Sequence, residues 1–340
     1  MANQTLRDTR AAPYVIGMDL GGTKILAAVV DVEGRILAEA KRETRADEGP
    51  DYVIKRMAQT ARKAARHAGI DWTTVTGVGV GAPGPIDPES GFVYNPPNLP
   101  GWDEIALAPR LSEALELPVF LENDVNLGTL GEHALGAGQD TKDMVGIFVG
   151  TGVGGGLILD GQLRSGFRHA AGEVGHMIVF ADGPVCGCGK RGCLESVASR
   201  TAIERDIRLG IAAGRKSLIP KLVREKGRMT SGVLARALRK GDPLTTEVMG
   251  RAQWYLGLLT ASLVNLIDPE MIVFGGGVVE ALGNDFLTPI RVTARQYYIQ
   301  QAGADRVRIV AAQLGDHAGV LGAAVLARRR TSTDPGVARG

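Results

Sequence analysis

Three cysteines fall within eight residues, in the string C-G-C-G-K-R-G-C at Cys186, Cys188 and Cys193, and His176 stands ten positions before Cys186 in G-E-V-G-H. Three thiolates and one imidazole form the donor set of a closed, tetrahedral structural Zn2+ site. Gly187, Gly189 and Gly192 allow the tight wrapping that such a site requires. Unconnected cysteines are instead usually buried singly in apolar elements, so their grouping among Gly, Lys and Arg points to a metal. A closed shell leaves no position for a water ligand, so the ion would shape a loop and the chemistry would fall to carboxylates elsewhere.

Glycine supplies the second signal. It makes up 47 of 340 residues, about twice the usual frequency, and it clusters. D-L-G-G-T-K holds Asp19, Gly21, Gly22, Thr23 and Lys24 between two β-prone runs. It is neither a P-loop nor a dinucleotide fingerprint, since both of those lead into a helix. A hairpin of this kind could aim backbone amides at a phosphate, with Asp19 at the strand end for a hydrated Mg2+. An ordinary Gly-Gly turn is the plain alternative. G-T-G-V-G-G-G, with Gly150, Thr151, Gly152 and Gly154, occupies the equivalent place downstream, and its five glycines exceed what a turn needs. F-G-G-G-V-V adds Gly275, Gly276 and Gly277 after an apolar strand, where a nucleoside could lie. Taken together, the three clusters favour nucleotide binding.

Among the acids, Asp124 in L-E-N-D follows a strand and opens a helix. An Asn or Asp there is most simply a cap, yet the carboxyl end of a strand is also where open α/β sheets present ligands, and Asp124 could there accept a hydroxyl proton. Glu173 and Glu195 flank the cysteine string. Carboxylates with an amide, Asn98 or Asn123, suit a polyhydroxylated ligand, and the backbone of G-A-P-G at Gly81 could join them. His67, His133, His169 and His317 have no such context and read as structural.

The elements that must position these groups follow from periodicity. Residues 14–19, 25–31 and 35–41 read as strands, with Gly-rich turns between them, and Pro50 opens a helix that carries Val53, Met57, Ala61, Ala64 and Ala68 to a stop at Gly69. Residues 75–80 and 118–122 read as further strands. Strands over 144–149 and 157–160 enclose the second glycine turn, so strand, glycine turn, strand occurs twice, which suggests an internal duplication. Residues 201–266 read as mostly helical, with a basic, loop-like patch over 214–228. Residues 271–274 and 307–312 read as strands, and 318–329 as a last helix. The expectation is two α/β domains around a cleft: a smaller one over 1–138 with helix 318–330 packing back on it, a larger one over 139–317 carrying the cysteine loop, and a frayed tail over 331–340.

Composition narrows the classes. Apolar residues at 44% and charged residues at 22% describe a globular chain. Lys+Arg 39 against Asp+Glu 37 leaves a net +2, which calls for neither nucleic acid nor an anionic membrane. An odd cysteine count argues against a disulfide framework. Residues 1–10 lack an export signal, and the longest apolar stretch, 256–267, is interrupted by Thr260, Ser262 and Asn265 and reads as a buried helix. A cytoplasmic protein is expected.

In order along residues 14–327, D-L-G-G-T-K, G-A-P-G-P, N-P-P-N-L-P-G-W, E-N-D-V-N, G-T-G-V-G-G-G, E-V-G-H and C-G-C-G-K-R-G-C-L-E resemble the ROK family of sugar kinases, and most of all its bacterial glucokinases. The E-x-G-H to C-x-C-x4-C-x-E string is specific to that family, whereas the glycine motifs belong to the wider actin/hexokinase superfamily. The resemblance implies two ribonuclease H-like α/β domains that close on a sugar. It implies transfer of the ATP γ-phosphoryl group to the 6-hydroxyl of glucose, with Mg2+ as cofactor and Asp124 as catalytic base. Asn98, Asn123, Glu173, His176 and Glu195 would bind sugar hydroxyls, and the loops at 19–24 and 150–156 the nucleotide phosphates. His176, Cys186, Cys188 and Cys193 would hold structural zinc, so His176 would have two roles. A homodimer or tetramer is implied. Alternatives are a kinase of N-acetylglucosamine, N-acetylmannosamine, mannose or fructose, a polyphosphate donor, or a sugar sensor without turnover. Val125 stands where E-N-D-A-N is common, and 214–228 follows none of the family's motifs.

Overall fold

The computed structural model describes residues 14–96 and 98–332; the leader and most of the tail expected to be loose lie outside them. The chain divides into two compact units, one running to Leu127 and resuming at Gly319, the other spanning Gly128–Ala318.

The first unit is built on a five-stranded sheet. Strands β1 (Tyr14–Leu20), β2 (Lys24–Val30) and β3 (Ile36–Glu43) form an antiparallel meander. β4 (Val75–Ala82) and β7 (Val119–Asn123) continue from β1 in parallel, giving the order β3-β2-β1-β4-β7. A small hairpin, β5 (Ile86–Asp87) with β6 (Phe92–Val93), stands apart from the sheet. Helix α1 (Pro50–Ala68) has Pro in its first turn, buries Val53, Ile54, Met57, Ala61 and Ala64, and ends at Gly69 with φ 67°. With α2 (Leu107–Leu115) it packs on the sheet face that carries Ile16, Met18, Val78 and Val80.

On the opposite face β1 and β4 present glycines, Gly17, Gly77, Gly79 and Gly81, and the reason for Gly17 and Gly79 lies at the other end of the chain. Helix α11 (Ala318–Thr331) lies backbone to backbone on β1 and β4. A Cβ on Gly17 would overlap the carbonyl oxygen of Val320, and one on Gly79 that of Ala323. The alternation V-G-V-G along β4 therefore records one face packed by valines and one pressed against a helix. Gly79→Ala is expected to cost about 3 kcal/mol, because helix backbone cannot give way as a side chain can. Gly250→Ala, in open space on an exposed helix face, should instead stabilise by about 0.5–1 kcal/mol. Urea midpoints of the two variants would separate these effects.

The second unit repeats the plan. β8 (Met144–Val149), β9 (Val153–Leu159) and β10 (Gln162–Leu163) form the meander, and β11 (Met271–Gly275) and β12 (Arg308–Ala311) extend it in parallel, in the order β10-β9-β8-β11-β12. The strand order thus matches the first sheet position for position. Between β10 and β11 come the cysteine loop and helices α4 (Glu195–Ala198), α5 (Arg200–Ala212), α6 (Ile219–Lys226), α7 (Ser231–Arg239) and α8 (Pro243–Ile267). α9 (Gly277–Leu282) and α10 (Asn284–Gln296) follow β11. α3 (Asp124–Leu135) runs from the first unit into the second.

Two expectations are corrected here. Residues 214–228 are not a loop throughout: α6 forms inside them because Pro220 suits a first helical turn, Ile219 and Leu222 find the core, and Gly227 ends the helix at φ 78°. The glycine turn of the second unit is also shorter than 150–156. Gly154, Gly155 and Gly156 are strand residues, paired with Phe148, Ile147 and Gly146, which leaves residues 150–152 as the turn. Among the described residues no helix is long and apolar enough to cross a membrane.

Candidate functional site

In the first unit the parallel strands bring the predicted residues to one level. Asp19 pairs with Gly81, Gly81 with Glu122 and Ala82 with Asn123, all at the carboxyl ends of β1, β4 and β7. A Cβ on Gly81 would lie 3.5 Å from Asp124 Cα, so glycine lets the first turn of α3 sit against the sheet. Gly319, at the start of α11, lies in no motif, and no pattern in the sequence points to it. Its Cβ position lies 3.9 Å from Asp19 Cγ and 4.0 Å from the Asp124 carbonyl oxygen. Asp19 and Asp124, 105 positions apart in the sequence, therefore share one neighbour.

The E-N-D string divides its labour. Asn123 Oδ1 accepts from the N–H groups of Val125 and Asn126, so Asn123 is the residue that caps α3. Buried Glu122 accepts from Asn123 N–H and Asn126 Nδ2. Asp124 Oδ1 accepts from the N–H of Val125 at 2.9 Å. With capping assigned to Asn123, Asp124 is not needed for that task.

The turn between β1 and β2 is tied down by Thr44, whose hydroxyl donates to the Gly21 carbonyl at 2.6 Å and whose N–H donates to that of Thr23 at 3.0 Å. Asn98 lies over the turn: a Cβ on Gly22 would stand 2.7 Å from both its Cβ and its carbonyl oxygen. The loop carrying Asn98 is anchored by Leu99 and Trp102, each buried to within 1%. Thr23 is exposed and Lys24 partly so.

In the second unit the Glu173–His176 stretch crosses directly above β9. A Cβ on Gly155 would stand 2.6 Å from Val174 Cγ2 and 2.9 Å from the Gly172 carbonyl oxygen, and one on Gly175 would overlap the Val153 carbonyl. Gly155 is thus explained by this crossing, not by a phosphate. Val174–His176 is a single 3-10 turn, and His176 Nε2 faces Glu173 Oε2 at 4.0 Å. Gly276, with φ 87°, rests on the Val149 backbone and leads into α9, so the third glycine cluster sits beside the turn at 150–152. Gly154 lies in β9 opposite Phe148.

His176, Cys186, Cys188 and Cys193 converge, with all their ligand atoms within 4.8 Å of one another. Cys186 Sγ lies 3.8 Å from His176 Nδ1, and Cys188 Sγ lies 3.7 Å from Cys193 Sγ. A tetrahedral Zn2+ with its usual bond lengths needs edges of about 3.5–3.8 Å, so the donor set fits zinc in chemistry and these two edges fit it in length. The positive φ values of Gly189 and Gly192, 83° and 76°, turn the chain between the ligands.

Burial pushes the Cys186 thiol up from 9.0 to about 12, with the Glu195 carboxylate adding to the rise. Burial also raises Cys193, whereas the Lys190 backbone N–H lowers Cys188. In the metal-free chain, folded Cys186 keeps its proton at a pH where an unfolded thiol has lost it. That contribution to stability is complete below about pH 9 and declines as the pH rises toward about 12. Chelated protein should therefore lose urea resistance as the pH is raised above about 9, a decline that metal-loaded protein should not share.

The two matching sheet orders define a class, the duplicated ribonuclease H-like α/β fold of the actin/hexokinase superfamily. The chain belongs to the ROK family, whose pattern matches residues 15–330. It is 36% identical to a glucokinase of Thermotoga maritima over 93% of this chain and 98% of the relative. A ROK hexokinase structure from Thermus thermophilus superposes with a TM-score of 0.79 at 37% identity, covering 93% of this chain and 98% of that one. A ROK family glucokinase from Streptomyces griseus, solved with glucose and AMPPNP, gives 0.77 at 35% identity over 93% and 99%. Likeness of this extent makes the chain a sugar kinase of the family.

Proposed function

We propose that this kinase transfers the γ-phosphoryl group of ATP to the 6-hydroxyl of glucose, with Asp124 as general base. The observation that carries the reading is the placement of Asp124 at the carboxyl end of β7, beside Gly81 and sharing Gly319 as a neighbour with Asp19. Open α/β sheets present ligands at that end, and Asn123 relieves Asp124 of helix capping. Asp124 accepts the proton of the attacking hydroxyl. Asn98, Asn123, Glu173, His176 and Glu195 offer the sugar its donors and acceptors, and the Gly81 backbone joins them. The turns holding Gly21, Gly22, Thr23 and Lys24, and Gly150, Thr151 and Gly152, offer phosphate oxygens the N–H groups not spent in closing the turns, as Gly21 N–H is on the Lys24 carbonyl and Gly150 N–H on that of Gly152, while Gly275, Gly276 and Gly277 leave room for the nucleoside. Asp19 would hold Mg2+, which supplies positive charge against the phosphates. His176, Cys186, Cys188 and Cys193 would hold Zn2+, which orders the loop between Glu173 and Glu195. Phosphoryl transfer is chiefly positioning and electrostatics, so fixing these groups is most of the task.

The test is ADP release with ATP and Mg2+ across glucose, mannose, fructose, N-acetylglucosamine and N-acetylmannosamine. The highest kcat/KM is expected for glucose. Faster turnover of an acetylated sugar would overturn the substrate while leaving the base in place, and turnover only with polyphosphate would overturn the donor.

A further inference from the structure

The residues just after the cysteine string hold the second glycine turn almost completely. Arg200 N–H donates to the Gly150 carbonyl at 2.9 Å, and Thr201 Oγ1 donates to the Thr151 carbonyl at 2.7 Å. Arg200 Nη2 donates to Thr151 Oγ1 at 3.1 Å, and Glu195 Oε2 accepts from Val153 N–H at 3.0 Å. Gly152 completes the fit, because a Cβ there would overlap Glu195 Oε2. Around Gly150 a Cβ would meet nothing within 4 Å, so packing does not order the turn from that side. Glycine-rich backbone is entropically costly to fix, and these hydrogen bonds fix it together with the turn's own bond from Gly150 N–H to the Gly152 carbonyl at 2.9 Å.

The same residues are rooted in the cysteine cluster. Ser196 Oγ donates to the Cys193 carbonyl at 2.7 Å, Leu194 N–H donates to that of Met177 at 2.9 Å, and Glu195 Oε1 lies 3.5 Å from Cys186 Sγ. Ser196, Val197 and Ala198 are buried, so the stretch from Cys193 to Thr201 is a rigid strap with the metal ligands at one end and the turn at the other.

We infer that Arg200 and Thr201, with Glu195, are positioning residues for the nucleotide turn, and that filling the His176–Cys186–Cys188–Cys193 site tightens nucleotide binding by fixing where this strap begins. The inference rests on the reading of residues 150–152 as a phosphate-binding turn. It gives the metal loop an influence on the nucleotide besides the one expected for the sugar through His176.

The experiment uses the full chain loaded with zinc, ADP as probe, calorimetry for affinity and amide exchange for residues 150–153. Thr201→Val removes one bond to the turn and touches no metal ligand. Its ADP affinity and its ATP KM should each worsen about five-fold, the usual worth of one hydrogen bond. Exchange at 151–153 should quicken, while zinc content and glucose affinity stay as in the parent, and Thr201→Ser should restore the parent values. Chelation should quicken exchange at Val153 and weaken ADP further. If ADP binds the parent and protects the turn, yet Thr201→Val and chelation leave both readouts unchanged, the strap inference is overturned. If ADP binds without protecting 150–153, the nucleotide reading of the turn itself fails. Should chelation unfold the chain, the zinc-loaded Thr201→Val and Thr201→Ser pair decides the positioning role, and unchanged ADP affinity and turn exchange in that pair overturns the inference.

Discussion

Asp124→Asn is expected to leave the protein folded and able to bind its sugar, and to lower kcat by about 10²–10⁴-fold, the usual contribution of a positioned base. The fold should survive for a local reason. The side-chain oxygen of Asp124 accepts from Val125 N–H, an amide oxygen can do the same, and the helix is capped from Asn123. What is lost is the negative charge and, with it, the capacity to take a proton. The measurements are steady-state kinetics, glucose affinity by calorimetry and a urea midpoint. A near-normal kcat would remove Asp124 from the chemistry, and a large fall in stability would return it to the role of a cap. Asn123→Ala makes the contrast: it should cost about 1 kcal/mol of stability through the lost cap.

The second large effect is expected at the cysteine cluster. Cys193 is fully buried and Cys186 nearly so. Short backbone bonds, such as Cys186 N–H to the Lys190 carbonyl at 2.8 Å and Gly189 N–H to the Cys186 carbonyl at 2.9 Å, close the loop around them. Binding of structural zinc is worth on the order of 10 kcal/mol in small zinc-dependent peptides. The unit spanning Gly128–Ala318 has its own apolar core, so only part of that energy should appear as stability. Cys193→Ala is expected to reduce bound zinc from one per chain to a substoichiometric amount and to cost at least about 3 kcal/mol, read by metal analysis and calorimetric unfolding. If the purified parent holds no zinc and the variant unfolds at the parent temperature, the four side chains are only neighbours.

Much of this was readable from the residues because the signals are local. Strand, glycine turn and strand follow from periodicity and turn chemistry, and the extended β8 and the helix stop at Gly69 fall where the pattern puts them. The metal cluster was legible because its donors are close in sequence, so almost any fold that kept the loop compact would bring them together. The repeat of the hairpin was visible too, although the identical order of the two complete sheets was not, since parallel neighbours such as β4 and β7 are joined through long excursions.

Packing alone assigns the purpose of individual glycines and the long-range neighbours of the site. Gly154, Gly155 and Gly156 looked like part of a phosphate loop; they are strand residues, and Gly155 is small because the Glu173–His176 stretch crosses above it. Gly17 and Gly79 belong to no motif, and they are glycine because the backbone of α11, from the far end of the chain, comes against β1 and β4 at those positions. Composition cannot separate a glycine that meets a ligand from one that meets backbone, because both demands are the same absence of a Cβ. Gly319, Thr44 and Thr201 carry no motif at all; each matters through one or two close contacts with residues distant in the sequence. The sequence alone determined which chemistry is present and the class of fold that holds it. Which residues touch was settled by packing, because the position of a helix on a sheet depends on every side chain between them.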